Sequence, residues 1–360
     1  MKPQKLKIGI LGCGFSHFFL PAYLAHPNVA CVGLGDANPG KLAWMGDQFG
    51  ISRRHANLEE MLESDYDAIH IMTPVPLHAE QTLAVLRAGK HCACAVPMAT
   101  SIEDMRRIAE AQRASGRKYM MFEPNAYWDE VLYVKQLLAS GGMGRLQFLR
   151  GLQHYNLNTH PRYWQGFPPM HYISHAIAPL LEIAETRAAS VHCLGSGEMR
   201  EDFRNNLGNP FPIETAIFQL AGTAAAAEVT VIFFETAVQG REGFDVYGET
   251  ASFKWREFAG EKHGLIRLGA NGCEATRVDL PACTGGAPPE LAEFMRQGSP
   301  QAAFARLIHE FLASILDDRE PYLNPERAFS YVAPGLCAHA SSMQGGRRME
   351  IPQLWESPLP

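Results

Sequence analysis

Two histidines stand four residues apart in Met170-His171-Tyr172-Ile173-Ser174-His175. Residues i and i+4 of a helix share a face, so the spacing predicts that His171 and His175 point the same way. Such a pair suits proton transfer, because imidazole titrates near neutral pH. It also matches a metal-ligand geometry, or is one working histidine beside a packing one. Spacing supplies no third ligand, so proton transfer is the reading taken and no metal is expected. Glu123 directly follows the apolar run Tyr119 to Phe122. A carboxylate at the carboxyl end of a parallel sheet stands where ligands bind, and would serve as base, metal ligand or hydroxyl acceptor; the alternative is a solvated loop carboxylate. His175, His171 and Glu123 form the candidate catalytic set.

Around them lie candidate substrate residues. His154 and Tyr155 sit on an alternating run and so face opposite sides, one toward a cleft and one into packing. Tyr163 and Trp164 occur in a loop just before the histidine pair, and Tyr172 lies within it. Aromatic side chains there line sugar sites or fill a core with equal ease. Glu214, after Asn209-Pro210-Phe211-Pro212, is a further cleft candidate.

A different chemistry is written in Gly12-Cys13-Gly14-Phe15-Ser16-His17, a G-x-G-x-x-G pattern with histidine in the third glycine position. The first glycine makes a tight turn and the second lets the backbone approach a pyrophosphate at a helix N-terminus; the third mainly permits close helix packing. Asp36 ends the next apolar run, where an acid would accept hydrogen bonds from an adenosine ribose. No arginine follows it closely, which favours NAD(H) over its 2'-phosphorylated analogue.

The elements that would position these groups follow from periodicity. Strands are predicted at Leu6 to Leu11, Val29 to Leu34, Ala68 to Met72, His91 to Val96 and Tyr119 to Phe122, alternating with amphipathic helices as in a doubly wound parallel sheet. Thr100-Ser101-Ile102-Glu103 reads as a capping box for a helix that stops near Gly116. Beyond residue 124 the pattern changes. A helix at Glu130 to Ala139 precedes strand-like runs at Leu146 to Asn156, Ala226 to Phe234 and Gly243 to Trp255, with a turn at Gly248-Glu249-Thr250, and helices near Ala303 to Leu316 and Glu326 to Ser342 close the chain. Loops rich in Pro and Gly fall around 156 to 170, 204 to 213 and 281 to 290. The expectation is an α/β Rossmann domain over 1–124 and an α+β substrate and oligomerisation domain with a mainly antiparallel sheet over 125–360.

Composition excludes other classes. With 46% hydrophobic and 19% charged residues the chain is globular, and a net charge of -6 with no Lys/Arg run offers nothing to nucleic acid. No stretch approaches the roughly 18 apolar residues of a membrane span, so no membrane partner and a cytoplasmic location are expected. The eight cysteines, at 13, 31, 92, 94, 193, 273, 283 and 337, lack a C-x-x-C pair and read as reduced, mostly buried thiols.

Through Ile71-Met72-Thr73-Pro74-Val75-Pro76-Leu77-His78-Ala79-Glu80-Gln81 and Ala88-Gly89-Lys90-His91, the chain closely resembles the Gfo/Idh/MocA family, named for glucose-fructose oxidoreductase and inositol dehydrogenases. The resemblance runs from Lys7 to about Ile351, dense in the first third and thin later. It implies NAD as cofactor, held by Gly12, Gly14, Phe15, Ser16, Asp36, Thr73, Pro74, His78, Val96 and Pro97, a sugar or polyol substrate, and a homodimer or homotetramer with an open C-terminal sheet. Two departures stand out. The family's Glu-Lys-Pro lysine, which sits at the nicotinamide and the substrate hydroxyl, is matched by Val96 in Ala95-Val96-Pro97. The family's general acid/base histidine is matched by His175, but its flanking aspartates fall on His171 and Ala178. The resemblance therefore implies an NAD(H)-dependent sugar or polyol oxidoreductase with a non-standard proton-transfer set. The alternatives are an NAD-dependent glycoside lyase or hydrolase working by transient oxidation and elimination, and a non-catalytic NAD-binding relative.

Overall fold

The computed structural model describes residues 5–156, 160–204, 207–238, 240–258, 260–270, 272–280 and 287–355. Cys283 and parts of the three Pro/Gly loops lie outside them. In chain order the first elements are β1 (Leu6–Leu11), α1 (Leu20–Ala25), β2 (Val29–Gly35), α2 (Pro39–Gln48), β3 (Arg54–His55), α3 (Leu58–Glu63), β4 (Ala68–Ile71), α4 (His78–Arg87), β5 (His91–Ala95), α5 (Ile102–Ser115) and β6 (Tyr119–Phe122). Then come α6 (Asp129–Ala139), β7 (Leu146–Tyr155), α7 (Ser174–Ala184), β8 (Ala188–Ser196), β9 (Ile213–Leu220), β10 (Ala226–Phe233), β11 (Arg241–Gly248), β12 (Ala251–Lys254), β13 (His263–Gly269) and β14 (Gly272–Val278). The chain closes with α8 (Ala292–Arg296), α9 (Gln301–Leu316), α10 (Pro325–Ser342) and β15 (Met349–Glu350).

Residues of the spans 1–128 and 282–329 form one compact unit, and those of 129–281 and 330–360 a second. The segment 282–329, assigned from sequence to the second domain, thus packs with the first. Its reason is apolar: α9 lays Phe304 against Phe19 at 4.5 Å between ring centroids and Phe311 against Phe122 at 5.8 Å.

The first unit holds a parallel sheet of order β3-β2-β1-β4-β5-β6, the doubly wound arrangement expected. β1, β4 and β6 are near-continuous apolar runs because helices cover both faces. α5 begins one residue later than predicted. Ser101, not Thr100, is its N-cap, accepting from the Asp104 N–H at 3.0 Å and donating to the Asp104 carboxylate at 2.8 Å. α1 also starts late. Ser16–Phe18 form a single 3₁₀ turn, and the α-helix waits until Leu20, because Pro21 lacks an N–H and is tolerated only in the first turn.

The second unit is built on a sheet of order β14-β13-β12-β11-β7-β10-β9-β8-β15. Every pairing is antiparallel except β7 with β10. Leu149, Gly151 and Gln153 of β7 are buried. A Cβ on Gly151 would lie 2.5 Å from the Ala176 carbonyl, so a side chain here would push α7 off the sheet. Gly335 on α10 likewise leaves no room for a side chain, with the Met170 carbonyl 2.0 Å from its Cβ position. Among the described residues no helix is long and apolar enough to cross a membrane.

Candidate functional site

At the carboxyl end of β1, Gly12 adopts φ +102° and its Cβ position falls 2.5 Å from the Met72 carbonyl, so only glycine fits. Gly14 faces open space. The Asp36 carboxylate accepts from the Cys13 and Asn38 backbone N–H groups, each at 2.7 Å, which ties the glycine turn to the end of β2. The Ser16 hydroxyl is fully buried, with no hydrogen-bond partner among the described residues, while Phe15 is half exposed at 49%. The expected anion site at a helix start is altered here, since α1 begins beyond the turn and runs only Leu20–Ala25.

Beside this turn, the loops after β4 and β5 meet at α4. The Thr73 hydroxyl donates to Gln81 at 2.5 Å, and Pro74 leads into the turn Val75–Leu77. His78 is buried with Nδ1 2.7 Å from the Pro97 carbonyl and Nε2 2.9 Å from that of Thr73. Val96 is 7% exposed. Glu123 is completely buried, not a solvated loop residue, and its Oε1 caps the turn Pro124–Tyr127 through the Asn125 N–H at 3.0 Å.

In the second unit the structure gathers several aromatic candidates around His175. The His175 Nε2 lies 3.1 Å from the Tyr172 hydroxyl. Trp164 packs edge-on against Tyr172 at 4.5 Å and against Phe167 at 5.2 Å, with Tyr163 beside it at 5.5 Å. Tyr155 approaches His160 at 5.3 Å, and its hydroxyl donates to Glu242. His154 alternates to the opposite face of β7, away from the Gly151 side that α7 covers, and lies opposite Arg241. Burial and that arginine lower its imidazole below the ordinary histidine range.

His171 does not share an α-helical face with His175. It sits in a 3₁₀ turn, Pro169–Tyr172, and α7 begins only at Ser174. With three residues per turn across this junction, the i and i+4 relation no longer brings the side chains together. The His171 ring instead meets His339 of α10 at 4.9 Å and Phe167 at 5.8 Å. His339 in turn donates through Nδ1 to Oε1 of buried Glu214 at 2.9 Å, and Ser342 and the Met170 N–H also donate to that carboxylate, at 2.5 and 3.0 Å. Burial alone would raise the Glu214 carboxyl, but these donors hold it below the usual carboxylate range. Burial and the neighbouring His339 push His171 down to about 4, against the pull of Glu214, so its imidazole is neutral at physiological pH. Sequence reading missed His339. Its only signal is that it shares a helical face, at i and i+3, with Ser342. Pro179, one turn after His175, lies inside α7.

Among the described residues no three His, Cys, Asp or Glu side chains gather as metal ligands would. Residues 6–123 match the oxidoreductase family GFO_IDH_MocA, described by its NAD-binding Rossmann fold. The NAD-binding domain belongs to the Gfo/Idh/MocA family. Beyond that domain the likeness thins. A 1-carboxy-3-chloro-3,4-dihydroxycyclohexa-1,5-diene dehydrogenase of Comamonas testosteroni is 26% identical over 44% of this chain and 40% of its own length. The matched segment thus spans well under half of that relative. An inositol 2-dehydrogenase of Rhodococcus jostii is 24% identical over 84% of this chain and 80% of its own. A levoglucosan dehydrogenase solved with NADH and levoglucosan superposes with TM-score 0.79 at 17% identity, covering 97% of this chain and 100% of the other. This likeness establishes the two-sheet fold over nearly the whole length. The Gfo/Idh/MocA turn fits its dinucleotide on three observations: an open side at Gly14, a buried unpartnered hydroxyl at Ser16, and a carboxylate at Asp36 fixed by two backbone donors.

Proposed function

We propose that the chain is an NAD(H)-dependent oxidoreductase acting on a carbohydrate or polyol, with His175 as the group that exchanges the substrate hydroxyl proton. The observation that carries this is the His175–Tyr172 contact inside an aromatic cluster, on a chain with a Gfo/Idh/MocA NAD-binding domain. Relatives named for inositol and levoglucosan support the substrate class. NAD, when bound, supplies the hydride acceptor or donor. Asp36 would hold its adenosine ribose, the Gly12–Ser16 turn its pyrophosphate, and Thr73, Pro74, Val96 and Pro97 its nicotinamide end. Val96 can offer that end only an apolar wall, so the proton-handling part of a lysine's role falls to other groups. His171, neutral and next to the Glu214–His339 pair, is the proton acceptor assigned to the chain in its place. Glu123 is assigned a lesser part, because one of its oxygens is committed to capping. Tyr155, Tyr163, Trp164 and Tyr172 are the proposed sugar-facing aromatics, and His154 stands apart from them.

A panel of sugars, polyols and glycosides, read for NADH and for glycoside cleavage separately, tests this. NADH formation that scales with a sugar or polyol is the expected result; a panel without turnover would leave a non-catalytic NAD-binding relative. The second imidazole at His171 favours one other reading, redox-neutral elimination, in which one base removes a C–H proton and another group protonates the leaving oxygen. Cleavage with catalytic NAD and no NADH accumulation would identify it.

The face of the second sheet opposite α7 carries exposed Leu194 (62%) and Ile217 (44%) on adjacent strands. We propose that a second copy of the chain covers it. Light scattering should return a dimer or tetramer, and Ile217→Lys should shift it toward monomer; a monomeric wild type at micromolar concentration removes this reading.

A further inference from the structure

One buried side chain ties together the loops that follow β4 and β5. His78, the first residue of α4, is 1% exposed, and its two ring nitrogens face the carbonyls of Pro97 and Thr73 at 2.7 and 2.9 Å. A carbonyl oxygen only accepts. Both contacts are hydrogen bonds only if both nitrogens carry hydrogen, which makes the ring an imidazolium. Two titratable groups face it: Cys94 on β5 and His70 on β4. Burial works against the charge, but Cys94 and the two carbonyls outweigh it and raise the ring to about 9. Burial, and then this charge, drives the neighbouring His70 down to about 3.

We infer that His78 is a positioning residue that stays protonated through neutral pH, its imidazolium clamping the Thr73 and Pro97 carbonyls and so fixing the loops under the nicotinamide end of the cofactor. This rests on the proposed placement of Thr73, Pro74, Val96 and Pro97 at that end. A fixed cation there favours the neutral dihydronicotinamide over the cationic nicotinamide, and so NADH over NAD+.

The ring is read directly by ¹⁵N spectra of histidine-labelled protein. Both His78 nitrogens should be protonated from pH 6 to 8, and an unprotonated nitrogen at pH 7 overturns the charge. His78→Gln keeps a donor for one carbonyl and loses the charge. It should weaken NADH about tenfold or more and NAD+ less, while ADP-ribose, which has no nicotinamide, stays within about threefold. Equal weakening of NADH and ADP-ribose would make His78 merely structural and overturn the role. Should the variant not fold, the wild type is titrated from pH 7 to 10 instead: NADH affinity falls with the ring's deprotonation and ADP-ribose affinity does not, and parallel losses overturn the role. A wild type that binds ADP-ribose but shows no added affinity for NADH would defeat the placement of the nicotinamide end, and with it the role, whereas the nitrogen spectrum judges the charge independently.

Discussion

His175→Ala lowers turnover by about 100-fold or more with whichever sugar or polyol the panel returns, while the NADH dissociation constant stays within about threefold. The separation is expected because His175 belongs to the second unit and the cofactor residues to the first. The Ala variant removes the proposed proton-exchanging group and leaves every residue of the first unit unchanged. His175 is 8% exposed and contacts the Tyr172 hydroxyl, so Tyr172→Phe should act in the same direction with a smaller loss, together with a displaced pH–rate profile. Single-turnover measurement at saturating NAD+ distinguishes a chemical loss from slow product release. A His175→Ala rate near that of wild type would remove the residue from the mechanism.

Stability against urea should peak near pH 6.5 and fall on both sides. On the acid side the cause is buried neutral imidazole. Burial, then the neighbouring His309, lowers His26 to about 4, and burial, then the His78 charge, lowers His70 to about 3. An unfolded histidine takes its proton near 6.5, so below that pH the unfolded chain binds protons that the folded one refuses, and folding free energy is lost as pH falls. Each such group contributes a slope of about 1.4 kcal/mol per pH unit, so the pair gives about 2.5 kcal/mol per unit between roughly pH 6 and 4.5. His78 works in the opposite sense. With its folded value near 9, its contribution is fully present below 6.5 and is lost as pH rises through 9. A stability profile flat from pH 4.5 to 6.5 would contradict the acid limb, and one that keeps rising to pH 9 the alkaline one.

The Rossmann sheet was legible because its strands are buried on both faces and so are written as apolar runs: β1 and β6 coincide with prediction to the residue. The second sheet was less so. β8 and β9 carry Ser, His, Thr and Gln on their open face, and a half-polar strand resembles a loop when its neighbours are unknown. The family motif led to the two imidazoles but not to their geometry. Pro168 and Pro169 before His171 announce a turn, and the 3₁₀ geometry that follows breaks the i and i+4 face assumed for the pair. His339 was invisible because its meaning depends on Glu214, more than a hundred residues earlier on β9. The return of 282–329 to the first unit was missed for a like reason: α9 reads as an ordinary amphipathic helix, and sequence does not say which aromatic surface it will meet.

That returning segment sets the order in which the first unit can be completed. On the ribosome β6 emerges roughly 180 residues before α9, a delay of roughly 10–40 s at 5–20 residues per second. Throughout it Phe19 and Phe122 lack the Phe304 and Phe311 rings that finally enclose them. The nascent Rossmann sheet therefore waits with a wet apolar face while β7 to β14 of the second sheet are synthesised, and in this interval the chain is more exposed to chaperones and to self-association than the mature protein is.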